Sequence, residues 1–260
     1  MRRVLALLLL ALALAGCGGG GGAGLSGDQI AQAAAKTARA GSVKADFTVS
    51  GAGANGSGSG VFNTGKNRSG RLTMDLEVNR HKSTLETIVT QNVLYMRSPV
   101  FAQAGLSGRQ EWVKLDLQEL ARQRGIDLSS LVNASPTPTS VLGYLGGSTK
   151  SKNLGSESVR GVQTTHYRVT VDLERAASRA NGTARQSIRR VIELSGLKQI
   201  PVDAWIDGQG YLRKVHWAEH TSREQAAEVT MMLHGFGPAV AIKPPPPGAV
   251  VDLLQRMTQG

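Results

Sequence analysis

"VKADFTVS", residues 43–50, alternates without a break. Val43, Ala45, Phe47 and Val49 are apolar, and Lys44, Asp46, Thr48 and Ser50 are polar. Successive side chains of a β-strand point to opposite faces, so a period of two divides a dry face from a wet one. "RLTMDLEV", residues 71–78, repeats the pattern, with Leu72, Met74, Leu76 and Val78 set against Arg71, Thr73, Asp75 and Glu77. "VQTTHYRVTVDL", residues 162–173, does so again, with Tyr167, Val169, Val171 and Leu173 on one side. Such alternation marks half-buried antiparallel strands rather than the continuous apolar runs of parallel sheets.

Between these stretches lie further strand candidates. "GSGSGVFN" is a glycine-rich one, and "STLETIVTQNVLYMR" reads as two strands turning near Gln91 and Asn92. "IPVDAWID" and "YLRKVHWAEH" flank the hairpin loop Gly208-Gln209-Gly210, and "EQAAEVTMMLHGF" closes the sheet. Helical stretches are few. "DQIAQAAAKTARAG" reads as a first helix with Asp28 as its N-cap. "EWVKLDLQELARQRG" is a short strand, Trp112 to Leu115, running into a helix capped by Gly125. "SPTPTSVLGYLGG" yields a short apolar helix over Val141 to Leu145. "ERAASRANGTARQSIRRVIEL" is a helical insertion broken at Asn181-Gly182. The tail "KPPPPG" is stiff polyproline before an amphipathic helix at Val250 to Met257. The predicted fold class is α+β: a single large curved antiparallel sheet, a half-barrel, with helices covering its concave apolar face.

The N-terminus has another character. Arg2 and Arg3 precede an almost unbroken Leu/Ala run, Val4 to Ala13, of signal-peptide length and too short to span a bilayer. Leu14-Ala15-Gly16-Cys17 then resembles the bacterial lipobox, in which the Cys sulfur receives a diacylglyceryl group and the chain is cut before that Cys. The resemblance implies residues 1–16 as a lipoprotein signal peptide, Cys17 as the lipidation site and 17–27 as a Gly-rich tether. Residues 28–260 are then one domain with a Pro-rich tail. A flexible ten-residue Gly-rich tether spans roughly 17 Å on average and ~35 Å at most. Cys17 is the only cysteine in 260 residues, so neither an intramolecular disulfide nor a Cys-ligated metal follows. The alternative is a soluble secreted protein whose cysteine happens to lie beside its cleavage site.

The formal charge of +11 becomes +9 once Arg2 and Arg3 leave. For an exported protein no nucleic-acid partner is expected, and an anionic phospholipid surface accounts for the balance better. General solubility explains it equally well. "GAGANG", residues 51–56, matches G-x-G-x-x-G but does not open a helix, so it reads as a hairpin loop. His216 and His220 sit four apart in a strand pattern, roughly 13 Å from each other, too far to share an ion. There is no G-x-S-x-G elbow. Asp203 and Asp207 bracket Trp205 as surface acids. No metal, no cofactor, no catalytic residue and no enzyme activity are expected.

What remains is the apolar face. Phe47, Leu72, Met74 and Leu76 from the first strands would converge with Tyr167, Val169, Val171, Val215, Trp217, Val229 and Met231 from the later ones. An ordinary packed core explains any one of these residues. Aromatics at 4% and glycines in the early strands leave room unfilled, and Met74, Met96, Met231 and Met232 offer adaptable thioether surface.

"SESVRGVQTTHYRVTVDL" and "IPVDAWIDGQGYLRKV" resemble the two central hairpins of the LppX/LprG-type lipoproteins of actinobacteria, relatives in fold of the LolA and LolB carriers. The similarity covers about residues 28 to 235 together with the lipobox. It implies a LolA-like half-barrel whose helices line an open hydrophobic cavity for acyl chains such as palmitate. It implies a lipid or lipoglycan ligand and transfer toward the cell envelope. The chain would lie on the outer face of the cytoplasmic membrane, on the periplasm or cell-wall side. Ser135 to Gly147 would act as a lid, and Arg160, Arg168 and Lys214 would meet phosphate head groups or stand solvated. The alternative function is a sensor or scaffold lipoprotein that recognises an envelope protein partner and carries no lipid.

Overall fold

The computed structural model describes residues 25–51, 54–65, 69–78, 80–107, 109–124, 138–180, 182–220 and 226–259. Cys17, Gly125 and Pro136 lie outside these residues. Five consecutive strands form a meander: β1 (Ser42–Gly51), β2 (Ala54–Asn63), β3 (Ser69–Val78), β4 (His81–Thr90) and β5 (Val93–Arg97), with β6 (Trp112–Asp116) beside β5. A second meander comprises β7 (Ser148–Val159), β8 (Val162–Asp172), β9 (Gln199–Asp207), β10 (Leu212–His220) and β11 (Ala226–Gly237). A short strand, β12 (Val250–Asp252), ends the series. They form one sheet in the order β12-β6-β5-β4-β3-β2-β1-β11-β10-β9-β8-β7.

β11 therefore does not close an edge. It is the seam, pairing with β1 from Ser42↔Gly237 to Gly51↔Ala227 and joining the two meanders in mid-sheet. The sheet is mixed rather than purely antiparallel, because β12 runs parallel to β6. The tail explains this. After β11 the chain must cross to the opposite edge, about 34 Å away over seven strand spacings. Residues 238–249, extended, reach about 40 Å. Prolines pre-set an extended backbone, so they suit the crossing. Asn63 holds the tail on the way, its side-chain amide donating to Val240 O at 2.8 Å and accepting from Val240 N at 2.9 Å. The final helix consequently begins at Leu253, not Val250.

The helices are α1 (Gly27–Ala38), α2 (Pro99–Gln103), α3 (Leu117–Arg124), α4 (Pro138–Leu145), α5 (Leu173–Arg179), α6 (Gly182–Ser195) and α7 (Leu253–Gln259). Ser26, not Asp28, caps α1: its Oγ accepts from Gln29 N while Gln29 Oε1 accepts from Ser26 N, a reciprocal capping box. Asp28 stands in the first turn, where its charge favours the helix dipole and pairs with Arg175 and Arg179. The insertion after β8 is indeed broken, into α5 and α6. Ile30 and Ala34 of α1, Leu142 and Leu145 of α4, and Leu173 and Ala176 of α5 are buried with Val43, Ala45, Val169, Val171, Val215, Met231 and Leu233 in one core. The helices thus cover one face of the sheet over the seam and the second meander.

The predicted lid is part of this layer. Val141, Leu142 and Leu145 are 6%, 4% and 1% exposed. Lifting α4 would expose three core side chains, each worth about 1.5–3 kcal/mol of burial. It is a fixed wall.

Candidate functional site

Strand register assembles the predicted apolar residues row by row. One row across the sheet reads Tyr167, Ala204, Val215, Met231, Phe47, Gly58, Met74, Leu85. The next reads Val169, Val202, Trp217, Val229, Val49, Gly56, Leu76. Leu72 stands in a third row with Ala45 and Gly60, and Val171 pairs with Ile200. All eleven named residues share one face.

Their depths separate them. Phe47, Tyr167, Val169, Val171, Val215, Val229 and Met231 are between 0% and 8% exposed. Most of these pack against α1, α4 and α5 as ordinary core, and Leu72 and Trp217 pack against its margin. Met74 and Leu76 are only half-buried, as are Leu85 and Met96 beyond them. The open apolar surface is therefore carried by β3, β4 and β5, on the half of the sheet farther from the helix layer.

On one side that apolar surface, the trough, is bordered by the glycines of β2. Gly56, Gly58 and Gly60 face the same side as Phe47, by register. A Cβ at Gly56 would come within 2.7 Å of Leu76 Cδ2, at Gly58 within 2.7 Å of Met74 Cγ, and at Gly60 within 2.8 Å of Phe62 Cε2. Met74 and Leu76 of β3 and Phe62 of β2 lie down across the glycines and fill the space that larger residues there would take. Phe62 meets Phe47 edge-to-face, with centroids 5.9 Å apart, and forms the wall between packed core and trough. Leu85 and Phe62 escaped sequence reasoning. In "STLETIVT" threonines and Ile88 blur the alternation, and only the Met74↔Leu85 pairing shows which face is apolar.

The hairpins that carry the family resemblance do something else. The β7–β8 turn uses Arg160 and Gly161, with φ of 52° and 79°, a two-residue turn of the primed type. Register slips between Asn153 and Gly155, and beyond that irregularity the hairpin tip lies over the polar face. There Glu157 accepts from Trp205 Nε1 at 2.8 Å, His166 stacks on Trp205 at 4.0 Å, and Lys214 covers the ring at 4.0 Å. Arg168 makes a two-pronged bond to Asp203, and His166 Nε2 lies 3.3 Å from the same carboxylate. Arg160 reaches Asp46 on β1 at 2.6 Å. Arg160, Arg168 and Lys214 thus each have a partner within the protein. Asp207 is likewise paired, with Arg213. His216 bonds Thr230, and no group of three metal-binding side chains occurs among the described residues.

This network gives an acid-stability expectation. Partial burial pushes the Asp203 carboxyl up, but the Arg168 guanidinium and the His166 ring more than offset it, and its pKa lies below the usual value. A carboxyl with a depressed folded pKa contributes stability above its unfolded value, and loses it as pH falls through the folded value. The melting temperature of the chain should therefore drop below about pH 4. Asp203→Asn should lower it at pH 7 and flatten that acid limb, as thermal unfolding followed across pH will show.

No family model matches the chain. A Streptomyces griseus protein, described as an uncharacterized 31.2 kDa protein of the rplA–rplJ intergenic region, is 28% identical over 165 residues, 61% of this chain. The chain spans about half the length of that curated relative, 53%. Among solved structures, LprF from Mycobacterium bovis superposes with a TM-score of 0.51 at 15% identity, covering 84% of this chain and 96% of that one. Lipoprotein LppX from Mycobacterium tuberculosis gives 0.50 at 13%, covering 84% and 97%. The chain has the LppX-type lipoprotein fold.

Proposed function

We propose that this chain is a membrane-anchored lipoprotein that binds the acyl chains of lipids or glycolipids, for delivery within the cell envelope. The observation that carries the reading is the half-buried apolar surface of Met74, Leu76, Leu85 and Met96 beside the glycines of β2. Acyl chains would lie along it, each CH₂ removed from water contributing about 0.8 kcal/mol without any specific polar contact. Two methionines suit a floor that must fit chains of differing shape. The LppX-type fold and the lipobox-like Leu14–Cys17 support the same reading, with the tether keeping the trough near the bilayer. No helix among the described residues is long and apolar enough to cross a membrane.

The test is a solvent extract of purified Cys17→Ser protein read by mass spectrometry. Diacyl lipid in near-stoichiometric amount is the expected result. A ligand-free protein that also takes up no lipid from vesicles would overturn the carrier reading and favour a scaffold.

A further inference from the structure

The opposite, polar face carries a hollow of about 320 Å³ over β11, β1, β2 and β3. We infer that it binds a phosphorylated polyol, that is, a phosphoryl group attached to a hydroxyl-bearing carbon chain or ring. The site lies across the sheet from the trough and does not depend on the acyl-chain reading.

Its layout follows from register. His234, Lys44, Val61 and Arg71 form one row across four strands. Lys44 and Arg71 are exposed and flank Val61, with backbones about 10 Å apart. Two long cationic side chains at that spacing can close on one oxyanion from both sides. Neither has an ion-pair partner among the described residues. The stem of Lys44 runs over Gly235 of β11, on the side of β1 away from Arg71, so its ammonium group must swing back over Val61 to share a ligand with Arg71. The next row, about 7 Å along the strands, is Asp46, Ser59 and Thr73.

That second row supplies acceptors and hydroxyls. Asp46 is already held by Arg160 and faces His234 Nε2 at 3.4 Å, so it does not cancel the charge of Lys44 and Arg71. His234 Nε2 makes no hydrogen bond. Cations in one row and hydroxyl-binding groups in the next match a phosphate joined to a polyol. A bare apolar or cationic ligand finds no complement there.

The probe is glycerol phosphate, with glycerol and inorganic phosphate beside it, titrated calorimetrically into full-length Cys17→Ser protein. Glycerol phosphate should bind more tightly than either. Lys44→Gln and Arg71→Gln should each weaken it about tenfold, since charge-assisted hydrogen bonds are the strong ones. Lys82→Gln, on an exposed lysine of β4, should change nothing. Phosphatidylglycerol vesicles that compete for the site identify the source as a lipid head group. Vesicles that fail to compete identify a free phosphorylated polyol, and either result supports the pocket. No binding of glycerol phosphate, or equal weakening by Lys82→Gln, overturns it, whatever the lipid extract shows.

Discussion

Cys17→Ser protein is expected to leave the membrane fraction almost completely. An acyl chain contributes about 0.8 kcal/mol per buried CH₂, one chain holds a protein only marginally, and two or three hold it durably. Removing the sulfur that carries them removes the whole anchor, so the shift should be from nearly all pelleted to nearly all soluble. Fractionation of cells expressing each form, with the mass of the N-terminal peptide from the pelleted one, measures it. The thermal unfolding of residues 25–259 should not change, because the core that holds them is built from Ile30 to Leu233. A variant that still sediments would place the membrane contact in the folded body and sink the tether.

The second large effect concerns the trough. Met74→Glu with Leu85→Lys places an ion pair across one rung of β3 and β4. Both positions are half-buried, so the charges keep access to water, and opposite charges directly across strands are mildly favourable. Folding should survive with a melting temperature within a few degrees of the parent. Co-extracted diacyl lipid should fall at least about tenfold, because acyl chains would have to desolvate two charges. Val169→Asp on the same face is the contrasting case. Val169 is 0% exposed, and an unpaired carboxylate there costs several kcal/mol, a large part of the roughly 5–15 kcal/mol that holds a domain together. That variant should fail to fold. Lipid retained by the double variant would show that cargo sits elsewhere and would overturn the trough.

These two results would also separate what looked alike in the sequence. Val169 and Met74 carry the same signal, an apolar residue alternating with polar ones, and register places them on one face. One is sealed in the core with the helices, and the other is half-buried. Period two reports which side of a strand a residue faces, not what lies above it. Hence the alternating positions were all legible as a surface, while the division into core and trough was not. "SESVRGVQTTHYRV" shows the same limit from the other side. Its similarity to a family was readable, whereas the Trp205 network that its polar residues build on the wet face was not.

Sequence alone determined the strands of the two meanders, their faces, the broken helical insertion and the lipobox-like Cys17. Each depends on a few neighbouring residues, whose φ/ψ preferences and side-chain alternation act locally. Only the tertiary structure decided that β11 joins β1 in mid-sheet, that the proline tail crosses to make β12 parallel to β6, and that the helices cover one half of the apolar face. Those outcomes pair residues nearly two hundred positions apart, such as Ser42 with Gly237. They are set by which apolar surfaces can bury one another, a property of the assembled chain and not of any stretch of it.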